Sequence, residues 1–185
     1  MSLHQYTDLI RIFNDCFLAS HNTMLVAGES EPIYLPADGD CKVHRIIFAH
    51  GFFTSALHEI AHWCVAGPQR RLIEDYGYWY APDGRDAEQQ KAFESVEVRP
   101  QAYEWILSQS CGLGFNVSAD NLSGIAIDRL AFQHRVHDEV SQILIAGLNP
   151  RMAQLSQVLR QFYQQPALQF SQFQYSGMYF NLNSG

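Results

Sequence analysis

The 185-residue sequence lacks an uninterrupted apolar run of the 18 or more residues that a membrane-spanning helix needs. It is also poor in basic residues: 12 lysines and arginines against 19 acidic residues give a net charge of −7 without a basic stripe. This balance excludes nucleic acid as an expected direct partner. The N-terminus has neither the positive start nor the apolar stretch of a secretory signal peptide, so we expect a cytoplasmic protein that does not bind membranes.

Cysteine and nucleotide-binding signatures are scarce as well. The four cysteines are scattered without a CxxC pair, and in a reducing compartment they are expected to be free thiols. No glycine-rich phosphate-binding loop with a following lysine is present, and no GxSxG sequence occurs. These absences exclude a disulfide scaffold and give no support to a P-loop nucleotide-binding protein or a serine hydrolase of the GxSxG type.

What the sequence does contain is a compact globular composition, with 47% hydrophobic and 13% aromatic residues. Apolar periodicity predicts a single domain of mixed α and β structure, an α+β fold, over residues 1–185. In chain order we predict a helix from residue 3 to about 20, strands at 24–27, 33–35 and 45–49, a helix at 56–65, and helices over 86–111, 128–148 and 150–163. Pro100 is expected to interrupt the helix over 86–111.

The most informative motif is HExxH, from His58 to His62. Residues four apart on a helix lie about one turn apart on the same stripe, so the two histidines can hold one metal ion. Ser55 is a plausible N-cap, and Glu59 is the one charged residue in 56–65, which indicates a buried helix. Metal binding is therefore preferred over the alternative of two hydrogen-bonded core histidines.

A catalytic metal site normally needs a third protein ligand. Glu59 projects about 100° away from His58, so it is better placed as an outer partner of the metal or as a base. The segment 93–105 offers three other carboxylates, of which we prefer Glu97, with Glu104 as the alternative. On a continuous helix these two lie about 10 Å apart along the axis, so only one can reach a given metal.

A later predicted helix offers a competing set of potential ligands: His134, His137, Asp138 and Glu139. Arg129 and Arg135 are interspersed with them, and alternating charges are typical of an exposed helix face, so we do not favour a second metal site here. His44 and His50 are either pocket residues or hydrogen-bonded core histidines.

Two histidines and a carboxylate support two different chemistries. Zinc would activate water with Glu59 as general base, which is peptide hydrolysis. Ferrous iron in the same facial triad would activate oxygen and hydroxylate a carbon atom. A metal-stabilised binding module is a third possibility, but a structural zinc site normally has four protein ligands, and no fourth is evident.

Three blocks of sequence together resemble the bacterial elongation factor P hydroxylase family: residues 58–64, 75–85 and 96–102 with 104–105. The resemblance implies an oxygen-dependent non-haem iron enzyme that hydroxylates the lysine of elongation factor P after a β-lysyl group has been attached. Its implied cofactors are Fe(II) and molecular oxygen, with zinc as a possible substitute metal. The HExxH helix further suggests, by analogy, a zincin-like scaffold related to metalloproteases.

The resemblance also implies roles for individual residues. A metal site of two histidines and one carboxylate is implied, which maps to His58 and His62; Glu97 is our choice of carboxylate, with Glu104 as the alternative. Glu59 belongs to the catalytic site without serving as a protease base. An aromatic pocket is expected to hold the long lysine side chain, with an acidic group near its ammonium. The residues predicted for this pocket are Tyr76, Tyr78, Trp79, Tyr80 and Asp83.

Overall fold

A computed structural model describes residues 4–77, 83–118, 124 and 128–175. Within these residues the chain forms a single α+β domain with five α-helices and a small three-stranded sheet. The elements are α1 (Tyr6–His21), β1 (Thr23–Ala27), β2 (Ile33–Leu35), β3 (His44–Phe48), α2 (Phe53–Val65), α3 (Ala87–Ser110), α4 (Arg129–Ala146) and α5 (Pro150–Phe162). Of the helices described, none has both the length and the apolar composition needed to cross a membrane.

The sheet has the strand order β1-β3-β2, with β1 parallel and β2 antiparallel to β3. Leu25 and Tyr34 are both aligned with Ile46 of the central strand, and all three side chains are buried. This row forms an apolar layer in the sheet, because residues opposite each other on neighbouring strands project to the same face. Helix α1 packs against β1, and α2 packs against β3, so the motif helix is supported by the central strand.

A tight connection at His50 and Gly51 joins β3 to α2. Both residues adopt the left-handed backbone conformation, with φ values of 53° and 65°. The prediction that Ser55 caps α2 is wrong, because the helix begins earlier, after Phe52. The Ser55 hydroxyl instead accepts a hydrogen bond from the Ala49 N–H at 3.2 Å, which ties the first turn of α2 back to the end of β3.

We expect Gly51→Ala to lower the free energy of unfolding by about 1–2 kcal/mol, because alanine is strained at positive φ. A Cβ at this position would also lie 3.2 Å from the Tyr6 ring. Urea denaturation of the variant measures the change. Gly39→Ala is the matched control, because a Cβ there meets no atom within 4 Å of the described structure. Equal stability of the two variants would contradict the prediction.

Helix α3 is continuous over 24 residues, so the predicted interruption at Pro100 is wrong. Its N-terminus is fixed by a capping box in which Asp86 and Gln89 exchange side-chain and backbone hydrogen bonds. A proline inside a helix costs about 3 kcal/mol. Here Pro100 is buried, and α3 packs against α2, α4 and α5, so tertiary packing outweighs the local preference.

The C-terminal end of α2 is held by the first residues of α5. The Arg151 guanidinium donates to the carbonyl oxygens of Trp63, Cys64 and Ala66 at 2.7, 3.2 and 2.8 Å and lies 4.5 Å from the centroid of the Trp63 ring. Asn149 adds a hydrogen bond to the Cys64 carbonyl at 2.9 Å. The last carbonyls of a helix have no partners within the helix, so these contacts satisfy them with a positive charge at the favourable end of the helix dipole.

Candidate metal centre

Two helices bring the expected ligands together. His58 and His62 lie one turn apart on α2, and Glu97 approaches them from α3, with one ligand atom from each residue within 4.8 Å of the others. The Nε2 atom of His62 is 3.2 Å from that of His58 and 3.1 Å from Oε1 of Glu97. Among the residues that the structure describes, this is the one group of three or more histidine, cysteine or acidic side chains with such geometry.

Glu97 is held in a buried position by its own helix. Its residue exposure is only 1%, and an isolated carboxylate at that depth would be costly. Gln101, one turn later and equally buried, donates from Nε2 to Oε2 of Glu97 at 3.2 Å. The same amide also bonds the backbone of Ser118 in both directions, at 2.6 and 2.9 Å. Glu97 is therefore positioned by a glutamine that is fixed to the segment after α3.

Glu104, also on α3, contacts the ring nitrogen of His58 that does not face Glu97. Its Oε2 is 2.8 Å from Nδ1 of His58, whereas Oε2 of Glu97 is 3.8 Å from Nε2 of that ring. A hydrogen bond from Nδ1–H to Glu104 leaves the Nε2 lone pair directed toward His62 and Glu97. Carboxylates commonly orient metal-binding histidines in this way. The geometry therefore favours Glu97 over Glu104 as the ligand, with Glu104 as the group that orients His58.

The charges at this site are strongly coupled. Burial lowers the pKa of His58, but the nearby carboxylates of Glu104, Glu97 and Glu59 outweigh it and raise that pKa to about 10. Burial acts to raise the pKa of Glu97, yet His62 and His58 outweigh it and lower that pKa to about 2. The His58 imidazole, with three carboxylates nearby, thus holds a positive charge readily. A divalent cation could replace the protons that the cluster holds without metal.

The donor set fits ferrous iron or zinc. Imidazole nitrogens and a carboxylate oxygen suit both metals, and two histidines with one carboxylate are the facial triad of non-haem iron enzymes. His58, His62 and Glu97 lie close enough to converge on one ion, and Glu104 already orients one of the rings. Three protein ligands would leave coordination positions open, which is the arrangement of a catalytic rather than a structural site.

Glu59 lies beside the ligand group without belonging to it, as its helical position predicts. Within the described chain its carboxylate makes no hydrogen bond or ion pair. Burial raises the pKa of Glu59 and outweighs the opposing effect of the His58 and His62 imidazoles. The side chain lines a cavity next to His58, so it is available to a bound molecule.

Tyr76 packs beside His62 at the metal centre. Its ring is nearly parallel to that of His62, with centroids 6.4 Å apart, and stacks on Tyr34 at 4.3 Å. Asp75 and Tyr76 both have positive φ, 50° and 57°, and the Asp75 carboxylate accepts the Tyr34 N–H at 3.3 Å. The Tyr76 hydroxyl is buried and has no hydrogen-bond partner among the described residues. This tyrosine therefore supports the His62 side of the centre.

The other predicted substrate-binding residues are less informative. Tyr78, Trp79 and Tyr80 lie outside the described residues, and Asp83 is exposed. The substrate role of this segment stays a prediction.

The structure instead shows a cavity of about 570 Å³ that opens beside His58. Glu59 and Glu104 line it together with residues that sequence reasoning missed: Phe52, Ser108, Gly114, Phe115, Asn116 and Ser118. Most of these belong to the segment after α3 and share no motif, so no local pattern marks them. Gln101 was also missed, although its position four residues after Glu97 is a usable signal.

The competing histidine cluster on α4 is not a metal-binding group within the described chain. His134 is hydrogen-bonded to the Tyr175 hydroxyl, and Glu139 pairs with Arg99 at 3.4 Å. The expectation of an exposed face is wrong for His137, which is buried against Trp105 because this side of α4 packs on α3.

Comparisons with known proteins bear on this centre. A family model described as elongation factor P hydroxylase matches residues 12–173, which include all three ligand positions. A curated protein of Haemophilus influenzae, described as elongation factor P lysine hydroxylase, is 51% identical over 160 residues. The aligned region covers 86% of this chain and 90% of that relative.

Proposed function

Because the chain belongs to the elongation factor P hydroxylase family, we propose that it is an enzyme that hydroxylates a lysine side chain of translation elongation factor P. The observation that carries this proposal is the convergence of His58, His62 and Glu97 within 4.8 Å of one another, with His58 also lining a cavity. The substrate lysine is expected to carry a β-lysyl group, and the reaction is expected to take place in the cytoplasm.

The three ligands would hold Fe(II), as the facial triad indicates. When bound, ferrous iron would supply the activation of molecular oxygen for insertion into a C–H bond. One oxygen atom becomes the substrate hydroxyl group, and the other is released as water after taking up two electrons and two protons from an external two-electron reductant. The enzyme is therefore proposed to be a monooxygenase-type hydroxylase, for which zinc is a possible but inactive substitute.

The chain's own residues prepare the site for this reaction. Glu104 fixes the ring of His58 through Nδ1, and Gln101 fixes the carboxylate of Glu97. Glu59 places a further carboxylate at the cavity wall. Because these polar groups are already oriented, the site needs less free energy to reorganise when substrate binds.

The scaffold and the aromatic segment remain predictions. A zincin-like arrangement is supported by the HExxH helix that packs against the central strand of the sheet. A role of Tyr78, Trp79, Tyr80 and Asp83 in substrate binding follows from their aromatic and acidic character alone.

The test is anaerobic reconstitution with Fe(II), followed by oxygen, a reductant and elongation factor P that carries β-lysyl-lysine. We expect mass spectrometry to show the gain of one oxygen atom on the modified lysine. Protein loaded with zinc is the control and should give no gain, because zinc has no redox chemistry.

The competing function is zinc-dependent peptide hydrolysis with Glu59 as base. An unchanged substrate mass, together with zinc-dependent peptide cleavage that is lost in Glu59→Gln, would contradict the hydroxylase proposal and support the peptidase.

A further inference from the structure

The cavity beside His58 has an acidic wall and an aromatic rim. Helices α2 and α3 contribute His58, Glu59 and Glu104 to it, and Phe52 and Phe115 contribute ring surfaces. Among the described residues that line it, none is a lysine or an arginine. With two carboxylates, one imidazole and no lysine or arginine in its described lining, the cavity favours a cationic ligand and disfavours an anionic one.

We propose that this cavity receives the modified lysine side chain, with Phe52 and Phe115 flanking its methylene groups and Glu59 accepting a hydrogen bond from its ammonium group. This inference rests on the proposed function, because it assigns the binding site for the substrate of that reaction. It places the substrate on the His58 side of the metal centre. Tyr76, by contrast, is buried against His62 and does not line the cavity.

Glu59 is the carboxylate best suited to a cation. Glu104 is already hydrogen-bonded to His58, and Glu97 lies in contact with His62 and Gln101. Glu59, by comparison, makes no hydrogen bond or ion pair with any other described residue. A substrate ammonium could therefore donate a hydrogen bond to the Glu59 carboxylate beside the metal centre. Hydrogen bonds between charged groups are stronger than those between neutral groups in proteins.

The rim and the volume agree with a long aliphatic chain. Phe52 is 61% exposed, and Phe115 stacks on Trp105 with centroids 5.1 Å apart. Exposed apolar surface at the entrance of a cavity is a typical place for methylene groups to bind. The volume of about 570 Å³ lies inside the range of about 300–1,000 Å³ for ligand-binding cavities.

Gly114 allows the cavity to be narrowed without disturbing the metal ligands. It lines the cavity, and a Cβ built on it meets no atom within 4 Å. Gly39 has equally open surroundings but does not line the cavity, so Gly39→Leu is the matched control for Gly114→Leu. The affinity of each zinc-loaded variant for elongation factor P, with and without β-lysyl-lysine, is measured by calorimetry, together with zinc content.

We expect Gly114→Leu to weaken binding of the modified factor by about tenfold or more, because the added side chain narrows the cavity. Gly39→Leu should bind like the wild type, and both should retain zinc. Glu59→Gln should retain zinc as well, yet lose about tenfold in affinity for the modified factor, which is the usual effect of removing a charge from a hydrogen bond.

The outcomes separate the two proposals. If the wild type prefers the modified factor, but Gly114→Leu and Glu59→Gln both bind it as tightly as Gly39→Leu, the cavity assignment is overturned and the proposed function stands. If the wild type binds the modified and unmodified factors equally, the proposed substrate is wrong, and the cavity assignment is overturned with it.

Discussion

Glu97→Gln is expected to abolish tight metal binding while the fold is retained. Glutamine has the size of glutamate and can keep a hydrogen bond to Gln101, but it removes the anionic oxygen that lies 3.1 Å from Nε2 of His62. We expect the affinity for Co(II) or Zn(II) to fall by more than the roughly 10–100-fold loss that is typical for an outer partner of a metal ligand. Metal titration followed by calorimetry measures this change, and circular dichroism checks the fold.

Glu104→Gln is the matched control, since it changes another carboxylate of α3 that contacts the same histidine. Its side chain can still bond Nδ1 of His58, so the metal affinity should fall only by about 10–100-fold. The comparison therefore distinguishes a ligand from the group that orients it. Equal metal retention in the two variants, or a larger loss in Glu104→Gln, would contradict the assignment of Glu97.

Arg151→Met is expected to lower the free energy of unfolding by about 3 kcal/mol, because three helix-terminal carbonyls lose a charged donor. The carbonyls of Trp63, Cys64 and Ala66 would be left without that donor at the end of the motif helix. For a domain of this size the melting temperature should fall by about 6–12 °C. Scanning calorimetry on metal-free protein measures the change without a contribution from bound metal.

Arg11→Met is the control for Arg151→Met. Arg11 is exposed, and its ion pairs with Asp8 and Asp15 are both 3.8 Å long on the surface of α1. Such pairs contribute little, so we expect a change within about 0.5 kcal/mol. A similar small change in Arg151→Met would contradict the prediction and show that water and the remaining donors, Asn149 and Arg71, suffice at the end of α2.

Local periodicity predicted much of this fold and part of the site. The strands at 24–27 and 33–35 and the helix at 150–163 agree with the structure to within one residue. The HExxH spacing placed two imidazoles on one stripe, and their approach to Glu97 follows from the packing of α2 on α3. These features depend on patterns within one strand or helix, or on the packing of one pair of helices.

The remaining features depend on contacts between segments far apart in the chain. Pro100 was expected to interrupt α3, because a proline inside a free helix is unfavourable. In the structure Pro100 is buried, and the packing of α3 on α2, α4 and α5 overrides that preference. Ser55 was expected to cap α2, but the preceding turn starts the helix earlier. The link from Gln101 to Ser118 and the cavity wall beyond it have no local pattern, so they could only be found in three dimensions.

The division of the ligands between α2 and α3 has a consequence for biosynthesis. A nascent chain that ends before α3 offers only the two histidines of α2, without Glu97 or the carboxylate that orients His58. If the site binds the proposed metal, tight uptake would follow synthesis of α3 and its docking on α2, because the full site exists only in the folded chain. Metal uptake would thus be a late step of maturation, because it would require the packed pair of α2 and α3 and not only the HExxH motif.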